Sequence, residues 1–221
     1  MNSMYSLNII DDRIRLNHEK FGHPFGWGLI SPNRNYRYVA ITKNASSFIS
    51  NLLFNNKWDS IEGGFNDDVT NIVIVRNPLE RWISGMTEYL VGKNSSLGEI
   101  TRNLPNIFTH INFLNDEFII KIITDQIYFD GHTLPQTWYL EGINVKRTKF
   151  FYMDDEFKEK ICDFLKVNKS LKNINESKRD KLKNNVKEIL QDIVSKNINL
   201  TEEIDKHYYC DHKLIDSVKF E

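Results

Sequence analysis

The stretch NIVIVRNPLERWISGMTEYLVG, residues 71–92, decides the fold class. Four apolar residues stand in a row at 72–75, with no polar residue interrupting them. A strand wetted on one face alternates; an unbroken run fits a strand buried on both faces, as in a parallel sheet. A helix then starts at once. Asn77 is a good N-cap, and Pro78 falls in the first helical turn, where a missing N–H costs nothing. Leu79, Trp82, Ile83, Met86 and Leu90 recur at helical spacing and form one apolar stripe, and Gly92 is suited to close the helix.

The same strand-then-helix plan recurs on either side. Upstream, YVAITKNASSFISNLL (residues 38–53) belongs to a strand predicted over 36–42 and a helix over 46–54, with Phe48, Leu52 and Leu53 on one face. WDSIEGGFNDD reads as a loop, marked by paired glycines and by acids. Downstream, residues 97–127 read as helical, and FDGHTLPQTWYLEGI as a loop leading into a short helix. TKFFYM (148–153) reads as a strand, and DDEFKEKICDFLKV as a helix whose first-turn acids suit its dipole. Two closing helices are expected over 177–196 and 200–218. The first 35 residues hold one or two short strands and loops. Strand and helix in alternation predict an α/β fold with a mainly parallel sheet covered by helices, in one domain spanning residues 1–221.

Composition excludes several classes. The chain has 221 residues and is 40% hydrophobic, enough for a real core. Its formal net charge is −1, so no global basic field argues for nucleic acid, and any anion site must be local. Two cysteines far apart, Cys162 and Cys210, make no disulfide framework and point to a reducing compartment. The first residues read as neither signal peptide nor anchor. No window approaches the ~20 apolar residues of a membrane span. A cytoplasmic protein without nucleic-acid or membrane partners is expected.

The turn Lys-Asn-Ala-Ser-Ser at 43–47 carries the first chemical signal. Ligands of a parallel sheet collect at the carboxyl ends of its strands, where helix N-termini present free N–H groups and a partial positive charge. Lys43 adds a full charge, and Ser46 and Ser47 add hydroxyls that either cap the helix or bind an anion. The turn is no Walker A loop, because G-x-x-x-x-G-K-[ST] is absent. Arg76 ends the neighbouring strand on the same sheet edge, and Ser84 lies about two turns into the helix that follows. An arginine and a hydroxyl there suit a second phosphate. A magnesium-dependent NTPase wants an acid at such a strand end; this one ends in arginine. Two cationic sites on one edge predict a ligand with phosphates at two places, held without a metal. In HYYCDH, helical spacing turns Cys210 and His212 in different directions, so no metal site is expected there.

These segments resemble a known family. ITKNASSFI is similar to the 5′-phosphosulfate loop of sulfotransferases that use 3′-phosphoadenosine-5′-phosphosulfate (PAPS), and IVIVRNPLERWISGMTEYL to their 3′-phosphate segment. DGHTLPQTWYL resembles a His…Pro-Gln segment of the carbohydrate-directed members. FFYMDDEFKEKICDFL and IDKHYYCDHKLID resemble the later strand, helix and last helix. The match runs in order over residues 36–216. It implies a P-loop-like three-layer fold and sulfuryl transfer from PAPS to a hydroxyl of a carbohydrate or similar acceptor, with 3′,5′-ADP as product. By position, Lys43, Asn44, Ala45, Ser46 and Ser47 would hold the 5′-phosphosulfate, and Arg76 and Ser84 the 3′-phosphate. Ser177, Lys178 or Arg179 could add to the latter. Asn44 and Phe48 depart from the family's pattern.

The implied chemistry is in-line attack of the acceptor hydroxyl on sulfur, with Lys43 stabilising charge on the leaving phosphate oxygen. A general base should take the hydroxyl proton, and two residues stand open for that role. Glu62 sits beside Gly63 and Gly64, which permit close approach of a ligand. His132 is an imidazole with Asp130 near enough in sequence to orient it. Two other functions remain: a nucleotide-binding module without catalysis, and a P-loop-type kinase.

Overall fold

The computed structural model describes residues 27–65, 68–91, 132–167 and 181–221. The expectations for residues 97–127, Gly92, Asp130, Ser177, Lys178 and Arg179 lie outside the described residues. In chain order the elements are β1 (Gly28–Ile30), β2 (Tyr36–Val39), α1 (Ser46–Asn55), β3 (Asp59–Ile61), β4 (Thr70–Val75) and α2 (Pro78–Val91). After them come a 3-10 turn (Gln136–Leu140), β5 (Thr148–Tyr152), α3 (Phe157–Leu165), α4 (Lys181–Lys196), α5 (Ile198–His207) and α6 (Tyr209–Ser217). They form two compact units: one holds the sheet with α1, α3 and the chain from Pro135, and takes up the chain again from Cys210. The other holds α2, residues 132–134, α4 and α5.

The strands of the first unit lie in the order β3-β1-β2-β4-β5. β1 is antiparallel to both β2 and β3, while β2–β4 and β4–β5 are parallel. Four strands therefore run one way and β1 alone opposes them, giving a mixed, mostly parallel sheet flanked by helices. The register sets Tyr38 beside Ile72 and Ile74 beside Phe151. With Leu29, these four side chains pack against Ile49 and Leu53 of α1 and Phe157 and Ile161 of α3. Val39, Val73, Val75 and Phe150, which alternate with them, are buried as well. Burial on both faces is the physical reason for the unbroken apolar run in β4.

Three boundaries depart from the sequence reading. β2 ends at Val39, three residues before the expected end at 42. The loop WDSIEGG contains β3, whose three residues are exposed or half-buried. No hydrophobic pattern announces it, because it exists by pairing with the edge of β1. The last expected helix is two helices, α5 and α6, with the break at Tyr208, next to the point where the chain passes from the second unit into the first.

In the second unit, Trp82, Ile83, Met86, Leu90 and Val91 of α2 share a core with Val186, Leu190 and Val194 of α4 and Leu200 and Ile204 of α5. The apolar stripe of α2 thus faces other helices. A half-buried ion pair, Lys183 Nζ to Glu88 at 2.8 Å, joins α4 to α2. Cys162 and Cys210 are not joined in a disulfide. Among the described residues no helix is long and apolar enough to cross a membrane.

Tyr38 carries a polar flaw in this core: it is 1% exposed, and its hydroxyl has no hydrogen-bond partner. Burial alone holds the phenol well above its ordinary range. Removing a buried, unsatisfied hydroxyl should stabilise, so Tyr38→Phe is expected to gain about 1 kcal/mol at neutral pH. The unfolded phenol ionises near pH ~10, whereas the folded one stays neutral. Its contribution is therefore intact below that pH and is lost as pH rises, at up to about 1.4 kcal/mol per pH unit. Urea unfolding from pH 7 to 11 checks this: the wild type should fall away from Tyr38→Phe above pH ~10. Parallel curves would show the hydroxyl to be solvated.

Candidate functional site

The site begins where β2 leaves the sheet. β2 pairs with β4 only as far as Val39 beside Val73, while β4 runs on to Val75. Val75 turns its carbonyl to the β5 side, where Met153 N–H donates to it at 2.8 Å. By strand alternation the Ile74 carbonyl and both backbone groups of Arg76 face the side β2 has vacated. Backbone groups in such a place must find partners.

Two carboxamides supply them. Asn44 Nδ2 donates to the Ile74 carbonyl at 2.8 Å. Gln136 Oε1 accepts from Arg76 N–H at 2.8 Å, and its Nε2 donates to the Arg76 carbonyl at 2.8 Å. The two side chains also meet, Asn44 Nδ2 donating to Gln136 Oε1 at 2.6 Å. The Gln136 amide has one orientation that works, because turning it over would set N–H against N–H, while the Asn44 Oδ1 beside it is buried without a hydrogen-bond partner. Asn44 and Gln136 are both fully buried.

The chain between β2 and α1 is strained in a particular way. Lys43 (φ 66°) and Ala45 (φ 57°) are left-handed, with Asn44 between them outside that region. Left-handed non-glycine residues cost of order 1–3 kcal/mol each and cluster at functional sites. Within this turn the Asn44 N–H donates to the Ile41 carbonyl at 3.2 Å. α1 begins at Ser46 with Ala45 as its N-cap, so no side chain caps it. The serine-cap alternative is thereby corrected. Ser46 is half-buried and Ser47 exposed in the uncapped first turn. Phe48 packs on the core beneath, with Lys158 Nζ 4.8 Å from its ring centre.

Arg76 reaches back to this turn: its Nη1 donates to the Lys43 carbonyl at 3.2 Å. The arginine-tipped strand end and the backbone of the lysine turn are therefore in contact. Thr42 Oγ1 lies 2.8 Å from the Tyr139 hydroxyl at its margin. Trp138 and Tyr139 are 2% and 5% exposed, so neither offers a ring face for a sugar.

The remaining candidates stand elsewhere. Glu62 is exposed, past the end of β3, and β1 separates β3 from β2. The carbonyls of Gly63 and Gly64 beside it accept from the buried Arg37 guanidinium, at 2.7 Å each. Arg37 also stacks over Phe65 at 4.9 Å, and burial lowers its pKa. Ser84 and His132 belong to the second unit. There α2 meets the His132 backbone at Gly85: a Cβ on it would sit 2.3 Å from the His132 carbonyl oxygen, so only glycine admits the contact. The next two carbonyls are held as well, Thr133 by the Tyr208 hydroxyl and Leu134 by buried Arg81. Among the described residues no group of three or more His, Cys, Asp or Glu is arranged to hold a metal.

Sequence reasoning assigned no role to Gln136 or Asp211. Asp211, on α6, is fully buried; its Oδ2 accepts from Gln136 N–H at 2.8 Å. Its Oδ1 accepts from Thr137 N–H and Oγ1, both at 2.9 Å. The one local signal is that Asp211 shares the buried face of α6 with Leu214, three residues on. No family model, curated protein or solved structure matches the chain.

Asp211→Ala would strand two buried backbone donors and one hydroxyl. Each buried unpaired donor costs about 1–3 kcal/mol. Urea unfolding should therefore show a loss of at least about 3 kcal/mol, far above that of an ordinary surface Asp→Ala. A loss under 1 kcal/mol would mean that water replaces the carboxylate.

Proposed function

We propose that this chain is a sulfotransferase with a P-loop-like three-layer fold, moving a sulfuryl group from PAPS to a hydroxyl of a carbohydrate or similar acceptor. One observation carries the reading: the Arg76 guanidinium donates to the carbonyl of Lys43. That contact brings the Arg76 guanidinium to the backbone of the Lys43 turn, 33 residues away in sequence, at the carboxyl ends of adjacent parallel strands. The donor set fits a nucleotide with two separate anionic groups. The uncapped first turn of α1 offers backbone N–H groups, and Ser46 and Ser47 offer hydroxyls. Asn44 has a different part from that of a donor contact, because its side chain serves the sheet edge.

PAPS supplies an activated sulfuryl group. Lys43 then stabilises the negative charge that grows on the bridging phosphate oxygen, and Arg76 binds the 3′-phosphate. His132 or Glu62 takes the acceptor proton. No metal is required, since the chain's own cations neutralise the donor.

Calorimetry with 3′,5′-ADP and ATP tests the donor. The wild type should prefer 3′,5′-ADP, and Arg76→Ala should erase most of that preference. Equal binding of ATP, with magnesium-dependent turnover, would instead support a kinase. Lys43→Ala should lower labelled-sulfate transfer to a glycan panel by ~10²–10³. A loss of ~10²–10⁴ in either His132→Asn or Glu62→Gln, and in only one, identifies the base. Tight 3′,5′-ADP binding with no transfer to any acceptor would leave a binding module.

A further inference from the structure

We propose that Gln136 is a positioning residue that sets the distance between the two phosphate subsites, with Asp211 as its anchor. The inference rests on the two-phosphate reading of the site. One carboxamide touches both halves: it takes the N–H and the carbonyl of Arg76, and through Asn44 it holds the middle of the Lys43 turn. No other side chain among the described hydrogen bonds spans residues 44 and 76 in this way. The amide cannot drift, because its own backbone N–H and that of Thr137 are fixed by the two oxygens of the buried Asp211 carboxylate. The path from α6 to both subsites is thus Asp211, the 136–137 backbone, the Gln136 amide, and then Arg76 and Asn44.

The consequence concerns ligands, beyond stability. A ligand that engages both subsites gains because the second contact is intramolecular, and that gain requires the correct spacing. Misplacement by about 1 Å costs on the order of 10²-fold. A ligand that uses one subsite alone has no stake in the spacing. Gln136 therefore governs the preference for a doubly phosphorylated adenosine over either monophosphate.

Calorimetry on wild type and Gln136→Leu, with 3′,5′-ADP, 5′-AMP and 3′-AMP, tests this. The bisphosphate should lose ~10–100-fold in affinity, while each monophosphate changes less than about threefold. If all three fall together, or the bisphosphate is unaffected, the proposal is overturned. Amide hydrogen exchange supplies a measurement that needs no ligand, with Gln136→Asn as a milder variant that is too short to span the contact. Exchange should quicken at Arg76 and throughout 43–47 together. Quickening at Arg76 alone would overturn the coupling. Should the wild type show no preference for 3′,5′-ADP, the sulfotransferase reading fails, and exchange alone then decides whether Gln136 links the two segments.

Discussion

Parallel strands of unequal length leave backbone groups without a neighbour, and the structure around residues 43–76 is organised by that debt. β2 leaves at Val39, and three backbone groups of the continuing strand end face the vacated side. Left buried and unpaired, they would cost about 1–3 kcal/mol each. The sum is comparable to the whole net stability of a domain, about 5–15 kcal/mol. A further strand would satisfy them and fill the opening. Asn44 and Gln136 satisfy them from the side, so the sheet stays split where the first turn of α1 begins. A split closed by carboxamides keeps backbone order at the place where the left-handed turn meets the start of α1.

Much of this was legible in the sequence, and the reason is periodicity. β4 and α2 declare themselves through an unbroken apolar run, an Asn-Pro start and a stripe of five apolar residues; the structure has them at Thr70–Val75 and Pro78–Val91. Local pattern also located the Lys43 turn and Arg76, since both follow strands of obvious type. β3 stayed hidden because three mostly exposed residues carry no period, and the α5–α6 break because both sides of it have helical composition. Gln136 and Asp211 could not be assigned locally at all. Their partners lie 60 to 92 residues away for the glutamine amide and 74 to 75 for the carboxylate. A polar residue inside an apolar run, as in LPQTWYL, marks a buried polar group, but only tertiary structure says whose backbone it serves.

Three arginines show why residue type alone does not make an anion site. Arg37 is 2% exposed; its guanidinium is taken by the carbonyls of Gly63 and Gly64 and shielded by Phe65. Arg81 is fully buried and donates to the Leu134 carbonyl. Both act as cross-links between distant backbone segments. Arg76 also donates to a carbonyl, but it is half-buried, at a strand's carboxyl end, and beside a turn of alternating hand. Position on the sheet edge, more than the presence of a guanidinium, separates the candidate ligand group from the two structural ones.

The strain in the turn completes the argument. Glycine at 43 or 45 would adopt the left-handed conformation at no steric cost, yet the chain has lysine and alanine there. Lysine brings a charge that glycine lacks, so strain at 43 is coupled to a chemical gain. Alanine at 45 brings no function of its own, but it restricts the unfolded chain more than glycine would and so offsets part of its own cost. What holds both residues in place is the Asn44 side chain between them, pinned to Ile74 and Gln136. The turn is therefore held by its buried middle residue, and its two flanking residues carry the left-handed backbone.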